Sequence, residues 1–464
     1  MRASLLSAVL AIALPNASMA VTFNPTQRLA APDFSADDRF GTAVAVSGDL
    51  IAVGAQNDST NGISAGQAFV YDAATGDLMT VLNDPNASAA NGFGRSVAID
   101  GNRVLVGAAG SLATEGSLNG RAYLYDSTTG ELLQSFLRPT ANSRRSFGEV
   151  LAVDGDVVLI SDGQEEVFLF DAASGALVRS FRNPDQGRRG LSFGNDVAID
   201  GDLILIGAAD DSSRGSNAGR AFLYSASTGE LLRAFDDPTP ADFDRFGTAV
   251  DLSGDNVLIG AAGATTNRDN AGEAFLFSAE TGDLRHTLTD DFDASSGGEG
   301  FGNALAISGD TIVISGPLRE DLLLGQAFLF DVATGEQRQR FVDPEPQPGE
   351  RFASSIGLSV NTLVFGVPGE DFPDPFRPIR AADAGSVVVY QRDAPSTAVV
   401  PLPGGLSLFL GAFIVTATLR RLGTSAPLLV KSDGHSRNMR LFDASIRYSK
   451  NRKEPEYQRM QIVD

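Results

Sequence analysis

Between Phe40 and Leu82 the chain reads FGTAVAVSGDLIAVGAQNDSTNGISAGQAFVYDAATGDLMTVL. Small and branched apolar residues alternate with one another over Thr42–Val46, and Ser47-Gly48-Asp49 then supplies a tight turn. Leu50–Gly54 is a near-continuous apolar run, the pattern of a strand covered on both faces. A polar loop, Ala55–Ala65, leads to a third strand over Gly66–Asp72, and Ala73–Gly76 turns the chain into a fourth over Asp77–Leu82. Glycine in these turns accepts positive φ, and Asp or Ser bonds back to the backbone.

The pattern recurs. Phe-Gly returns at Phe93, Phe147, Phe193, Phe246 and Phe301 and weakens to Phe352-Ala353, giving seven starts 46 to 55 residues apart. A period of this length marks an array of one supersecondary unit. A four-stranded sheet that is apolar on both faces must stack on its copies, so the pattern predicts an all-β fold, a seven-bladed β-propeller of four-stranded antiparallel blades. The seventh repeat ends at Val387–Tyr390 without a fourth strand. A segment with the fourth-strand pattern, Gln27-Arg28-Leu29-Ala30-Ala31-Pro32, precedes the first repeat and is expected to close the last blade.

Phe-Gly openings followed by Val-Gly-Ala (53–55), Val-Gly-Ala-Ala (106–109) and Ile-Gly-Ala-Ala (206–209, 259–262) resemble FG-GAP repeats over roughly residues 27–393. That resemblance implies the propeller of integrin α heads and of bacterial surface proteins, a module for adhesion. Integrin-type repeats often carry calcium in a DxDxDG loop. Here the first turns are only Ser47-Gly48-Asp49, Asp100-Gly101-Asn102, Asp154-Gly155-Asp156, Asp200-Gly201-Asp202, Ser253-Gly254-Asp255 and Ser308-Gly309-Asp310. Calcium takes about six to eight oxygens, more than a tight hairpin can wrap. No cofactor is expected, with acidic loops such as Asp210-Asp211 the alternative place for a cation.

The termini set an address. Met1-Arg2, an apolar stretch at Leu5–Leu14 and the small residues Ser18 and Ala20 predict a signal peptide over residues 1–20, cleaved after Ala20. The propeller domain is then 21–393 and a linker 394–403. Gly404–Leu419 is an uncharged run of sixteen residues, about 24 Å as a helix, and Val399–Pro403 extends it to the length a bilayer requires. The expected domain is a membrane or sorting helix over 404–421, stopped by Arg420-Arg421. Val400, Pro401, Leu402 and Pro403 with that helix and Arg420 and Arg421 resemble a VPLPA-type PEP-CTERM sorting signal, although Gly404 stands where that motif has alanine. The resemblance implies processing by an exosortase-type enzyme. Residues 422–464 hold all three lysines of the chain. They read as foreign or read-through sequence, or as a basic and disordered tail.

Charge and chemistry narrow the function. The net charge is −22, and residues 420–464 carry ten Lys/Arg against five Asp/Glu, which leaves −27 for the rest. Such a body repels nucleic acid. Cysteine is absent and the histidines are only His286 and His435, so thiolate nucleophiles, zinc clusters and a Ser-His-Asp triad are excluded. Asp72, Asp126, Asp171 and Asp331 precede Thr/Ser-Gly turns and read as turn caps rather than as a catalytic pair.

Tight turns fall on one face of the propeller, and the long 2–3 loops and 4–1 linkers on the other. That loop face is mostly acidic, with Asp236, Asp237, Asp242, Asp244, Asp290, Asp291, Asp293, Asp343 and Glu345. Two neighbouring linkers break the pattern with Arg138, Arg144 and Arg145, then Arg182, Arg188 and Arg189. These six arginines are the candidate ligand-binding residues, against a reading as scattered solvated charges. The expected protein is an exported, non-enzymatic adhesion or matrix module, binding an extracellular protein or an anionic polysaccharide. The alternatives are an enzyme acting on extracellular polysaccharide and a purely structural coat component.

Overall fold

Each repeat folds into one four-stranded antiparallel sheet, and seven such sheets stand around a common axis in the computed structural model. The structure describes residues 21–393 except 34, 87–90, 111–119, 140–145, 185–191, 265–271, 291–299, 320–323, 348, 374–379 and 382. The signal segment 1–20, the sorting helix 404–421 and the tail 422–464 lie outside the described residues. Among those described, no helix is long and apolar enough to cross a membrane.

Blade 1 is Phe40–Ser47, Leu50–Ala55, Gln67–Asp72 and Leu78–Leu82, hydrogen-bonded in that order. Blades 2 to 6 repeat the order, beginning at Phe93, Val150, Phe193, Phe246 and Leu305. The first strands pack on one another around the ring and line its axis, whereas the fourth strands form the outer edge. In blade 7, Ser355–Leu358, Thr362–Val367 and Ser386–Arg392 are joined at the outer edge by Phe23–Leu29. The register pairs Gln27 with Val389, Arg28 with Val388 and Leu29 with Val387. This outer strand begins and ends earlier than Gln27–Pro32, because its Phe23 fills a fully buried site between blades 6 and 7. Between Thr362–Val367 and Ser386–Arg392 the chain forms a two-residue ladder, Phe372–Pro373 against Arg380–Ala381.

The core consists of seven apolar layers, one at each blade boundary. In blades 1 to 6 the Phe of each opening dipeptide packs on aromatic rings of its own third strand, as Phe40 does on Phe69 and Tyr71 at 5.4 and 6.0 Å. Phe40, Phe93, Phe246 and Phe301 are completely buried, each worth about 1.5–3 kcal/mol over exposure. The Gly that follows has φ +86 in blade 1 and +83 in blade 2. A Cβ on Gly54 would overlap the carbonyl oxygen of Gly94. The Phe-Gly of one blade thus rests backbone to backbone on the Gly-Ala of the blade before it, and the two halves of the repeat signature are one contact.

Two further series of polar bonds cross the boundaries. On the turn face, the side chains of Asp100, Asp154 and Asp200 accept from the N–H of Gly155, Gly201 and Gly254 in the next blade, at 2.8, 2.6 and 2.6 Å. Ser47 and Ser253 do the same for Gly101 and Gly309. These first-turn carboxylates are therefore tied to neighbouring backbone. At the outer edge, the fourth-strand side chains of Gln134, Arg179 and Arg233 donate to turn carbonyls of the next blade, and Gln27 reaches Ala73 in the same way. His286, half-buried in its strand, lies 3.3 Å from the Ala333 carbonyl and belongs to this series.

Candidate functional site on the loop face

The loop face is built from 2–3 loops and 4–1 linkers that bond to each other across blades. Phe40, Phe93 and Phe246 each donate their N–H to the loop carbonyl of the preceding blade, at Ala384, Ala65 and Ala218. Each first strand is entered through a turn closed from residue +2 after the Phe-Gly start to residue −1, for example Thr42 N–H to Arg39 O at 3.1 Å and Thr248 N–H to Arg245 O at 3.0 Å. Residue −1 therefore stands at the loop-face rim of the central channel.

Alignment of the blades on their sheets shows one column of linker residues turned inward. Asp84, Asp237, Asp290 and Asp343 occupy it and are buried. Asp237 accepts from Thr239 N–H at 2.7 Å and Asp343 from Glu345 N–H at 2.7 Å. In the next column, Asp38, Asp244 and Glu350 are also buried. Burial pushes Asp38 and Glu350 up to about 7 and raises Asp244. Much of the acidity expected on this face is thus internal. Asp236 is bound to Arg220 at 2.5 Å and to Arg214 at 2.9 Å, while Asp242 accepts from Ser216 N–H at 2.8 Å. Asp291 and Asp293 lie outside the described residues.

The arginine sector divides. Arg144, Arg145, Arg188 and Arg189 lie outside the described residues. Arg138 falls in the inward column that holds Asp84 and Asp343, and its side chain is 5% exposed. It is paired with Asp162 at 2.9 Å and Glu166 at 3.2 Å, and its guanidinium lies over the Phe168 ring. Arg138, one of the candidate ligand-binding residues, is thus an internal ion-pair partner, held by Asp162 of the loop that follows the second strand of blade 3 and by Glu166 at the start of its third strand. Arg182 is exposed and bonds Glu166 at 3.0 Å, which raises its guanidinium above the usual value.

A second buried cluster joins the closing strand to blades 6 and 7. Arg28 pairs with Asp343 and Glu370 and donates to Ser386 Oγ at 2.9 Å. Burial raises Glu370, whose bonds from Ser386 and Arg28 work in the opposite direction. This cluster was hidden in the sequence because its members are scattered over more than 340 positions, with Arg28 and Glu370 separated by 342.

Asp210 and Asp211, the alternative cation position, have internal partners. Asp210 accepts from the Ser192 hydroxyl at 2.5 Å. Asp211 accepts from Ser213 N–H at 2.9 Å and Asn183 Nδ2 at 2.8 Å. Burial alone would raise Asp211, but these hydrogen bonds outweigh it and hold the carboxyl below its usual value.

Along the channel, Asp196 and Asp251 bridge first strands. Asp196 accepts from Val250 N–H of the next blade at 2.7 Å, and Asp251 from Ile307 N–H at 2.7 Å. Both are partly open by area yet closely surrounded by protein, and that environment pushes each up to about 7.

Three side chains at the channel rim differ from these. Arg39, Arg245 and Arg351 occupy residue −1 of blades 1, 5 and 7, all are exposed, and their φ values are +55, +56 and +56. The sequence carried a signal for them, Asp/Glu-Arg-Phe-Gly/Ala at 38–41, 244–247 and 350–353, legible once the copies are compared at that position.

The FG-GAP repeat family model matches residues 23–71, 79–125, 184–224 and 239–277. These stretches fall on blades 1, 2, 4 and 5, where Phe-Gly and Gly-Ala are both intact. Blade 3 has Ser161-Asp162 in place of Gly-Ala, blade 6 has Ser315-Gly316, and blade 7 opens with Phe352-Ala353. A comparison with curated proteins finds no match.

Proposed function

This chain is an FG-GAP repeat β-propeller, a fold that serves protein interaction, and we propose that it acts outside the cell as a non-enzymatic adhesion or matrix module whose loop face holds the partner. The observation that carries this reading is the inequality of the two faces. On the turn face, short hairpins use their Asp and Ser side chains to lock neighbouring blades. The loop face instead displays long connections of differing sequence on a rigid ring, the arrangement in which binding residues concentrate.

The sequence supports export through the segment 1–20 and retention at the envelope through 404–421, with an exosortase-type enzyme as the processing partner. The partner of the loop face is an extracellular protein or an anionic polysaccharide. An enzyme acting on polysaccharide is the rival reading, and the raised carboxylates Glu350 and Glu370 are the observation in its favour. Glu350 is 0% exposed, which denies a sugar chain access to it.

The chain has no cysteine, so a single introduced thiol can be labelled uniquely. Thr60→Cys places it on an exposed loop of the loop face, and Asp283→Cys on a turn of the other face. Each variant is coupled to a bulky polyethylene-glycol maleimide and tested for retention on extracellular material of the producing cells. Label at Thr60 should block retention and label at Asp283 should not. The opposite result, or equal retention of both, would overturn the reading.

A further inference from the structure

Resting on the loop-face reading, we infer that Arg39, Arg245 and Arg351 form a cationic receptor at the rim of the central channel for a short acidic segment of a partner protein.

Among the arginines whose side chains the structure describes, these three have no ion pair and no side-chain hydrogen bond. The others are engaged: Arg28, Arg95, Arg103, Arg138, Arg182, Arg214, Arg220, Arg285, Arg338 and Arg392 with carboxylates, Arg179 and Arg233 with carbonyls, and Arg121 and Arg340 with further partners. The three free guanidinium groups occupy one structural position. That position is the turn entering the first strand, so all three project from the innermost ring of the loop face.

The backbone there does not call for arginine. A left-handed φ is uncommon for residues with side chains and natural for glycine, and Gly92 and Gly300 serve at the same place in blades 2 and 6 with φ +61 and +124. In blades 1 and 5 the arginine is held in this conformation by bonds on both sides. Arg39 N–H donates to Asp383 O at 3.1 Å and Arg245 N–H to Asn217 O at 3.0 Å, while their carbonyls close the entry turn. A long cationic side chain kept at a glycine-like position, with no side-chain partner among the described residues, points to a partner outside the molecule.

Charge decides what kind of partner. The acids preceding these arginines, Asp38, Asp244 and Glu350, are buried beneath the rim. Farther out, Asp33, Asp37, Asp242 and Glu345 are exposed, and the whole chain carries −22. A long, uniformly anionic polysaccharide lying across the face would meet that outer acidic zone. A short acidic loop approaching along the axis would reach the arginines without crossing it. Arginine forks also bind carboxylates with two parallel bonds. Single exposed pairs are weak, so binding requires the three together.

The test is fluorescence anisotropy of the full chain with a labelled twelve-residue peptide bearing four consecutive Glu or Asp. A charge-matched oligogalacturonate serves as competitor. Arg39→Asn/Arg245→Asn/Arg351→Asn removes the charges while retaining a residue that tolerates left-handed φ. We expect binding at low salt that weakens as salt rises, at least tenfold loss in this variant, and a smaller loss in the triple Arg→Lys variant. Arg285→Ser, on the opposite face, should bind as the native chain does. If the triple Asn variant does not fold, the three single variants carry the test, each expected to lose about two- to fivefold. No binding by the native chain, equal binding by folded variants, or tighter binding of the oligogalacturonate would overturn the inference. Continued block of retention by label at Thr60 would then show that the loop-face reading stands without it.

Discussion

Gly54 of blade 1 and Gly94 of blade 2 face each other so closely that a single methyl group on Gly54 would overlap the Gly94 carbonyl. The same relationship joins Gly107 to Gly148, Gly207 to Gly247, Gly260 to Gly302 and Gly366 to Gly41. The repeat signature is a description of this inter-blade contact, with the Phe-Gly half on one blade and the Gly-Ala half on the blade before it.

Gly54→Ala should therefore destabilise the propeller by about 1–3 kcal/mol, the usual cost of forcing an extra carbon into a packed interior. Gly48→Asn is the control. Gly48 has φ +57 and open space around its α-carbon, and Asn tolerates that conformation. Thermal unfolding of both variants checks the difference, and a Gly54→Ala protein as stable as the control would contradict the contact.

Arg28 is the cation that holds Asp343 and Glu370 in the interior of the closing blade. Arg28→Ala should cost about 3 kcal/mol or more, since removing one member of a buried pair leaves an uncompensated charge. The loss should be larger at pH 8 than at pH 5, because burial already raises Glu370 and, without its cation, that carboxyl takes up a proton at the lower pH. Urea unfolding at the two pH values measures both effects.

The stability of the native protein should fall as pH rises from 5 to 8. Asp38, Asp196, Asp251 and Glu350 are all pushed up to about 7 by burial. A carboxyl raised in the folded state contributes stability that is complete below its unfolded value near 4 and lost as pH passes through the folded value. The turn aspartates act with the opposite sign. Hydrogen bonds from Thr75 and Ala74 lower Asp72, so its contribution is lost only under more acidic conditions than this window. Asp196→Asn/Asp251→Asn should flatten the slope between pH 5 and 8, and an unchanged slope in that variant would assign the effect elsewhere.

The turn-face carboxylates bind neighbouring backbone, as Asp154 does with Gly201 N–H at 2.6 Å. Asp154→Ala should cost about 0.5–1.5 kcal/mol, the worth of one such bond. Adding a calcium chelator should leave the melting temperature of native and variant proteins alike unchanged. An ion bound at 100 times its dissociation constant would add ~2.7 kcal/mol, a shift calorimetry would register.

The blades were legible from apolar alternation and the Phe-Gly period because strand burial leaves a local, repeated mark. The direction in which a charged side chain turns leaves none. Asp84, Arg138 and Asp343 occupy the same inward column, so a linker rich in arginine read as a surface patch while one member was an internal partner of Asp162 and Glu166. The information lay in comparing copies position by position: an acid column interrupted by Arg138 in blade 2 is answered by Asp162 and Glu166 of blade 3. Arg39, Arg245 and Arg351 leave only the faint repeated mark Asp/Glu-Arg-Phe, since each stands alone in its segment and the ring brings them to one rim.

The closing strand has a consequence for the order of events in synthesis. Thr26 bonds the Val389 carbonyl across 363 positions of sequence, so the earliest strand of the propeller to leave the ribosome has no mate until the last is made. At about 5–20 residues per second, that strand waits roughly 20 to 70 seconds. Throughout the interval the nascent ring is open, and the apolar layers on both sides of blade 7 have no lid. A cell making this protein must keep a sticky, C-shaped intermediate apart from its siblings, because two such openings can satisfy each other before either satisfies itself.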